Sequence, residues 1–246
     1  GVRRLLGSGA EQNITVYLMG GRYELSNTLS FDEKDSGNGH SIVTYKNYNN
    51  EEVRITGSQP ITAWKPYKDG IYIGRIGKKW LGSYVFENDE RSYSARTPNE
   101  GWYKWKPEDG KKKVIIDTEK IKPFNLEHNS LQVSYWYSGW FTAVNDVKNI
   151  DFESGILESV DNLSNPTEEN RYFLQGALDY LDMPGEFYND KNGNIYYKPR
   201  SKNITKADIE AVKLDGNLME FIGESEKNPV KNIRFDGLII ENGSSN

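Results

Sequence analysis

The residues able to do chemistry in this chain are carboxylates, arginines and aromatic rings. There are 36 Asp and Glu among 246 residues, two histidines (His40 and His128) and no cysteine. Thiolate chemistry and disulfides are therefore excluded, and no His-Glu-x-x-His or similar metal-ligand spacing is present. Paired carboxyls remain the natural reagents. One protonates a leaving oxygen while the other attacks or activates water, as in cleavage of a glycosidic bond. Asp215 and Asp236 end matching segments, Val212-Lys213-Leu214-Asp215-Gly216 and Ile233-Arg234-Phe235-Asp236-Gly237, 21 residues apart. A coil of that length would stack them on one face, either as a carboxylate pair or as two turn-capping Asp-Gly residues. Glu186, in the Pro-Gly-Glu string at the start of a hairpin, reads either as a catalytic acid or, as its position favours, as a fixed hydrogen-bonding group. Arg96 either holds a sugar hydroxyl or carboxylate by its forked guanidinium or ties two parts of the fold together through an acid. Trp102 and Trp105 flank Tyr103 in a stretch bounded by Gly101 and Pro107; a sandwich core accounts for most of the chain's rings, but these two, in a loop, would stack on sugar faces. Tyr135, Trp136, Tyr137, Trp140 and Phe141 form a second aromatic cluster; on a strand, Tyr135 and Tyr137 face one side and Trp136 the other.

Those residues need a β framework to position them. Glycine (23), tyrosine (16) and 13% aromatics point to strands joined by many turns. Ile14, Val16 and Leu18 alternate with Thr15 and Tyr17, the period of a half-buried strand, and further β-prone runs begin at Ile42 and Val53. Asn192-Gly193, between Phe187-Tyr188 and Ile195-Tyr196-Tyr197, is a strong hairpin signal because both turn residues tolerate positive φ. The middle of the chain holds all six tryptophans and strand-length runs at Gly82 to Glu87, Lys113 to Asp117 and Leu131 to Tyr137. It reads as antiparallel sheet, a sandwich. Helix is expected only in the first few residues, at Thr118 to Ile121 and around Ala207 to Glu210. The sections are 1–58, 59–200 and 201–246.

Several segments, in order, resemble one group of proteins. Ile14-Thr15-Val16-Tyr17-Leu18 with Gly20-Gly21-Arg22-Tyr23 looks like its first coil. Ile55-Thr56-Gly57-Ser58 resembles its exit from the helix, and Ala95-Arg96-Thr97-Pro98-Asn99 a signature of its insertion. Arg171-Tyr172-Phe173-Leu174 before Leu181-Asp182-Met183-Pro184-Gly185-Glu186-Phe187-Tyr188 resembles its hallmark. Asn228-Pro229-Val230 through Phe235-Asp236-Gly237 resembles its return. The group is that of right-handed parallel β-helix glycoside hydrolases with an inserted β-sandwich. The resemblance implies an all-β fold: first coils over 1–58, the sandwich over 59–200 and returning coils over 201–246. It implies the amino-terminal part of a secreted bacterial enzyme, extracellular or periplasmic, whose catalytic carboxylates lie on later coils. The substrate would be a plant or microbial polysaccharide or its oligosaccharides, with no organic cofactor and no metal. The sandwich would shape a groove, with Trp102, Trp105 and Arg96 as sugar contacts, or pack against another copy of the chain. A polysaccharide lyase, a non-catalytic sugar-binding module and a surface β-solenoid remain open.

Net charge of −5 argues against nucleic acid as the partner. No apolar run approaches the length of a membrane span.

Overall fold

The computed structural model describes residues 1–9, 11–77, 84–108, 110–122, 124, 131–190 and 192–244. Trp80, His128 and the start of the expected strand at Gly82 lie outside the described residues. The fold is all-β; among the described residues there is one short α-helix (Val2–Gly7) and there are isolated 3-10 turns, including Thr118–Lys120. The helical turn expected around Ala207 to Glu210 lies just before it, a 3-10 turn over Ile204–Lys206 capped at Ala207, and a strand runs over Ile209–Val212. The chain divides into two units, residues 1–60 with 210–246, and residues 61–209.

The first unit is built largely from parallel pairs. Val43–Asn47 lies between Ile14–Leu18 and Ile233–Asp236, and Val53–Thr56 lies between Gly21–Glu24 and Leu238–Glu241. Met219–Phe221 pairs in parallel with Leu29–Phe31. Like residues stack in register: Ile14, Val43 and Ile233 in one column, Val16, Tyr45 and Phe235 in another. The rings follow the columns. Tyr45 stacks on Phe235 at 5.4 Å and Phe31 on Phe221 at 5.1 Å, and Phe31 meets Phe235 edge-on. Such offset stacks add about 0.5–1.5 kcal/mol each beyond the area they bury.

Ile14 pairs with Val43 and Gly21 with Val53, so one circuit of chain takes about 30 residues. The expected 21-residue coil is therefore overturned. Asp236 stands in register with Lys46 and salt-bridges it at 3.1 Å. Val212, which opens the matching segment, pairs antiparallel with Ser58 instead of stacking beneath Ile233. Asp215 and Asp236 are thus not a stacked pair. The following residue, Gly237, has φ +67, and a side chain there would strike the Asn47 amide, so the turn between two columns requires glycine.

The second unit is mostly antiparallel. A long sheet runs in the order 96–97, 171–175, 132–136, 142–151, 156–159, 113–115, 106–107. Its inner face supplies the core: Val133, Tyr135, Tyr172, Leu174 and Leu157 are buried with Trp105 and Val114. A smaller sheet carries the Asn-Gly hairpin, Glu186–Asn189 with Asn194–Lys198, paired Phe187 to Tyr197. Asp190 closes its loop by accepting the N–H groups of Asn192 and Asn194. Two more hairpins turn on consecutive positive-φ residues, Asp69-Gly70 and Asn88-Asp89.

Candidate functional site

Alternation along the long sheet decides which side chains leave the core. On 132–136, Val133 and Tyr135 point inward while Gln132, Ser134 and Trp136 take the other face. On 171–175, Tyr172 and Leu174 point inward and Arg171, Phe173 and Gln175 outward. Cross-strand register then builds rows. Gln175 donates Nε2–H to Gln132 Oε1 (3.2 Å), and Gln132 donates Nε2–H to Asp146 Oδ1 (3.0 Å). Phe173 pairs with Ser134, which pairs with Val144 on the far side.

Beside the amide row runs a strip of rings and guanidinium groups. Trp102 and Trp136 have centroids 6.2 Å apart, and Trp136 and Phe173 6.0 Å. Arg171 lies over both indoles, 4.6 Å from Trp102 and 4.9 Å from Trp136, and Arg96 lies 3.9 Å over Phe173. Trp136, Phe173 and Arg96 of this strip border a cleft of about 720 Å³, within the range of ligand pockets, about 300–1,000 Å³. Its wall is completed by Tyr84, Arg91, Tyr93 and Ser94 from one side and by Thr142 and Asn189 from others. Hydroxyls, amides, guanidinium groups and flat rings are the groups that grip a polyhydroxylated ring ligand.

The residues expected to touch sugar fare differently. Trp102 is 49% exposed and edges the strip. Arg96 lines the cleft, but its guanidinium is held within its own loop, Nε–H donating to Pro98 O (2.8 Å) and Nη2–H to Gly101 O (2.6 Å). Its hydrogen bonds are therefore to neutral carbonyls, not to a tethering acid. Burial lowers its pKa from the ordinary arginine value. Trp105 is a correction. It is 2% exposed, stacks on Tyr172 at 5.3 Å and donates its indole N–H to Thr167 O at 2.9 Å. The stretch read as a loop is two short strands, Tyr103–Lys104 and Lys106–Pro107, and between them Trp105 turns into the core. The residues the sequence reading missed are Tyr93, Gln132, Phe173 and Gln175. The available signal was the same period-two alternation that assigned Trp136.

Glu186 is 5% exposed and accepts the backbone N–H groups of Met183 (3.1 Å), Asp182 (3.2 Å) and Arg96 (3.3 Å). It latches the hairpin to the neighbouring chain, the fixed role its position implies. Burial pushes its carboxyl up to about 7, against the pull of those three donors. The folded state thus keeps a proton that the unfolded chain releases above about 4.5. Stability from this group is full below that pH and falls as pH rises through 7, by on the order of 3 kcal/mol. Glu186→Gln, which mimics the protonated form, is expected to flatten that part of the stability curve. Thermal midpoints of both proteins from pH 4.5 to 8 check this; parallel curves would refute the assignment.

In the first unit, Arg22 pairs with Glu210 (2.7 Å) and Arg54 with Glu241 (2.9 Å), while Asn242 and Ser58 also donate to Glu210. The acids are engaged by cations and donors across strands, an arrangement that ties columns together. Among the described residues no group of His, Cys, Asp and Glu could hold a metal ion, and no helix is long and apolar enough to cross a membrane.

No protein-family model matches the chain, and no curated protein matches it. Among solved structures, one named glycoside hydrolase aligns with a TM-score of 0.83 at 17% identity, over 99% of this chain and 46% of its own. The two share a fold, and this chain spans under half that protein's length. A second, a complex of XylC with xylose, aligns with a TM-score of 0.33 at 11% identity, over 90% of this chain and 29% of its own. That likeness is too low to bear on the fold.

Proposed function

We propose that this chain binds saccharide as part of a secreted carbohydrate-active enzyme, a glycoside hydrolase built on a right-handed parallel β-helix. The observation that carries the binding is the cleft of the second unit, where rings, amides and guanidinium groups converge from separate strands. Support for the helix comes from the in-register parallel columns of the first unit, with a circuit of about 30 residues. Support for the enzyme class comes from the shared fold alone. Trp136 and Tyr93 would meet sugar faces, with Trp102 extending the strip beside Trp136, and Gln132, Gln175 and Thr142 would meet hydroxyls. No Asp or Glu lines the cleft among the described residues. It therefore grips; the carboxyls that cleave belong elsewhere in the enzyme.

Migration of the chain through gels containing plant polysaccharides tests the binding. Retardation by at least one glycan is expected, and uniform mobility across the panel would overturn the reading. Reducing ends released by the whole enzyme mark a hydrolase, whereas ultraviolet-absorbing unsaturated ends would assign it to the lyases.

A further inference from the structure

The cleft carries charge of one sign. Among the described residues its charged lining groups are Arg91 and Arg96, and its other polar liners are hydroxyls and amides. This holds in a chain where acids outnumber bases, 36 to 31. The cations also lack carboxylate partners in the wall. Arg96 spends its Nε–H and Nη2–H on neutral backbone carbonyls. Arg91 is exposed and lies 4.4 Å over the Tyr84 ring. Neighbouring acids are otherwise engaged: Glu90 pairs with Arg200 at 3.1 Å, Asp146 accepts from Gln132, and buried Glu186 accepts three backbone N–H groups. Burial also raises the Glu186 carboxyl's pKa, which weakens its negative charge at neutral pH. A forked guanidinium on an aromatic ring is suited to an oxyanion, since the ring fixes the plane and leaves the N–H edge open.

We propose that the cleft takes an anionic saccharide, one whose ring bears a carboxylate or a sulfate, with Arg91 pairing the anionic group while Tyr93 and Trp136 face the sugar ring. Tyr93 is 60% exposed and lines the same wall as Arg91. The inference rests on the cleft being a saccharide site and adds which saccharides it prefers.

Calorimetric titration of this chain and of its Arg91→Gln variant tests it. The probes are a neutral xylo-oligosaccharide, the same backbone bearing glucuronic acid, an oligogalacturonide and a sulfated galactan oligosaccharide. The chain is expected to bind at least one anionic probe about tenfold more tightly than the neutral one, and Arg91→Gln to cut that preference to about twofold or less. Whether the uronates or the sulfated probe bind identifies the oxyanion. Equal affinity for the neutral and acidic xylan probes, with the other anionic probes no tighter, would overturn the anionic preference and leave the saccharide reading standing. A preference that survives in Arg91→Gln would overturn the role of Arg91. Binding of none of the four would overturn the saccharide reading itself.

Discussion

Replacing Glu87 with alanine is expected to destabilise the second unit by about 3–5 kcal/mol. Glu87 is 2% exposed and is the acceptor at which three donors meet. The Tyr197 hydroxyl donates at 2.6 Å, and the Arg200 and Ser201 N–H groups at 2.8 Å each. The Arg200 guanidinium stands 4.0 Å away. Burial raises the carboxyl's pKa, but the donors outweigh it and hold the group below the ordinary 4.5. Alanine would leave two backbone N–H groups without an acceptor in a site water does not reach. At about 2–4 °C per kcal/mol for a unit of this size, the thermal midpoint should fall by roughly 10 °C. Tyr197→Phe, which removes one donor and leaves the carboxylate its other two, should cost about 1–2 kcal/mol. The contribution of Glu87 is complete above pH 4.5 and is lost as pH falls through its lowered folded value. A Glu87→Ala midpoint within a degree or two of the parent would contradict this account of the unit's stability.

Trp136→Ala is expected to weaken saccharide binding by about tenfold or more, near 1.4 kcal/mol. Trp136 is the ring shared by the strip and the cleft: it contacts Trp102 and Phe173, lies under Arg171 and lines the cavity wall. Removing it takes away an apolar face and frees Arg171 from a surface that orients it. Trp136→Phe keeps a ring at the same place and should recover most of the affinity. Titration of both variants with a saccharide that the parent binds, alongside their thermal midpoints, separates lost contact from lost folding. Parent-like affinity in Trp136→Ala would remove the strip from the binding site.

The local parts of this structure were legible. Asn192-Gly193 announced its hairpin because that dipeptide accepts positive φ, and alternation at Ile14 to Leu18 announced a strand with one half-buried face. Tyr135 and Trp136 were assigned to opposite faces by the same logic, and they take them. What failed was reasoning across distance. The coil length was read from two nearby segments, whereas a circuit is closed by partners such as Val43 and Ile233, separated by the entire second unit. A parallel column is defined by which strand lies beside which, and spacing within one stretch does not report it. Trp105 failed for a related reason. Gly and Pro around it signalled a loop, but strands of two residues pair on both sides and turn the indole into the core. The cleft was invisible as a whole because its wall gathers residues from segments spread between Tyr84 and Asn189. Each segment is unremarkable alone, and pairing register brings the side chains together.

The most direct test is to follow the indole N–H resonances of this chain by nitrogen–proton correlation spectroscopy during titration with an acidic oligosaccharide, assigning each by a Trp→Phe variant. The Trp136 signal is expected to shift progressively and Trp102 to move with it. Trp105, buried and donating to Thr167, should stay fixed. Saturating binding that leaves Trp136 unmoved, or a shift of Trp105 in its place, would contradict the assignment of the cleft as the saccharide site.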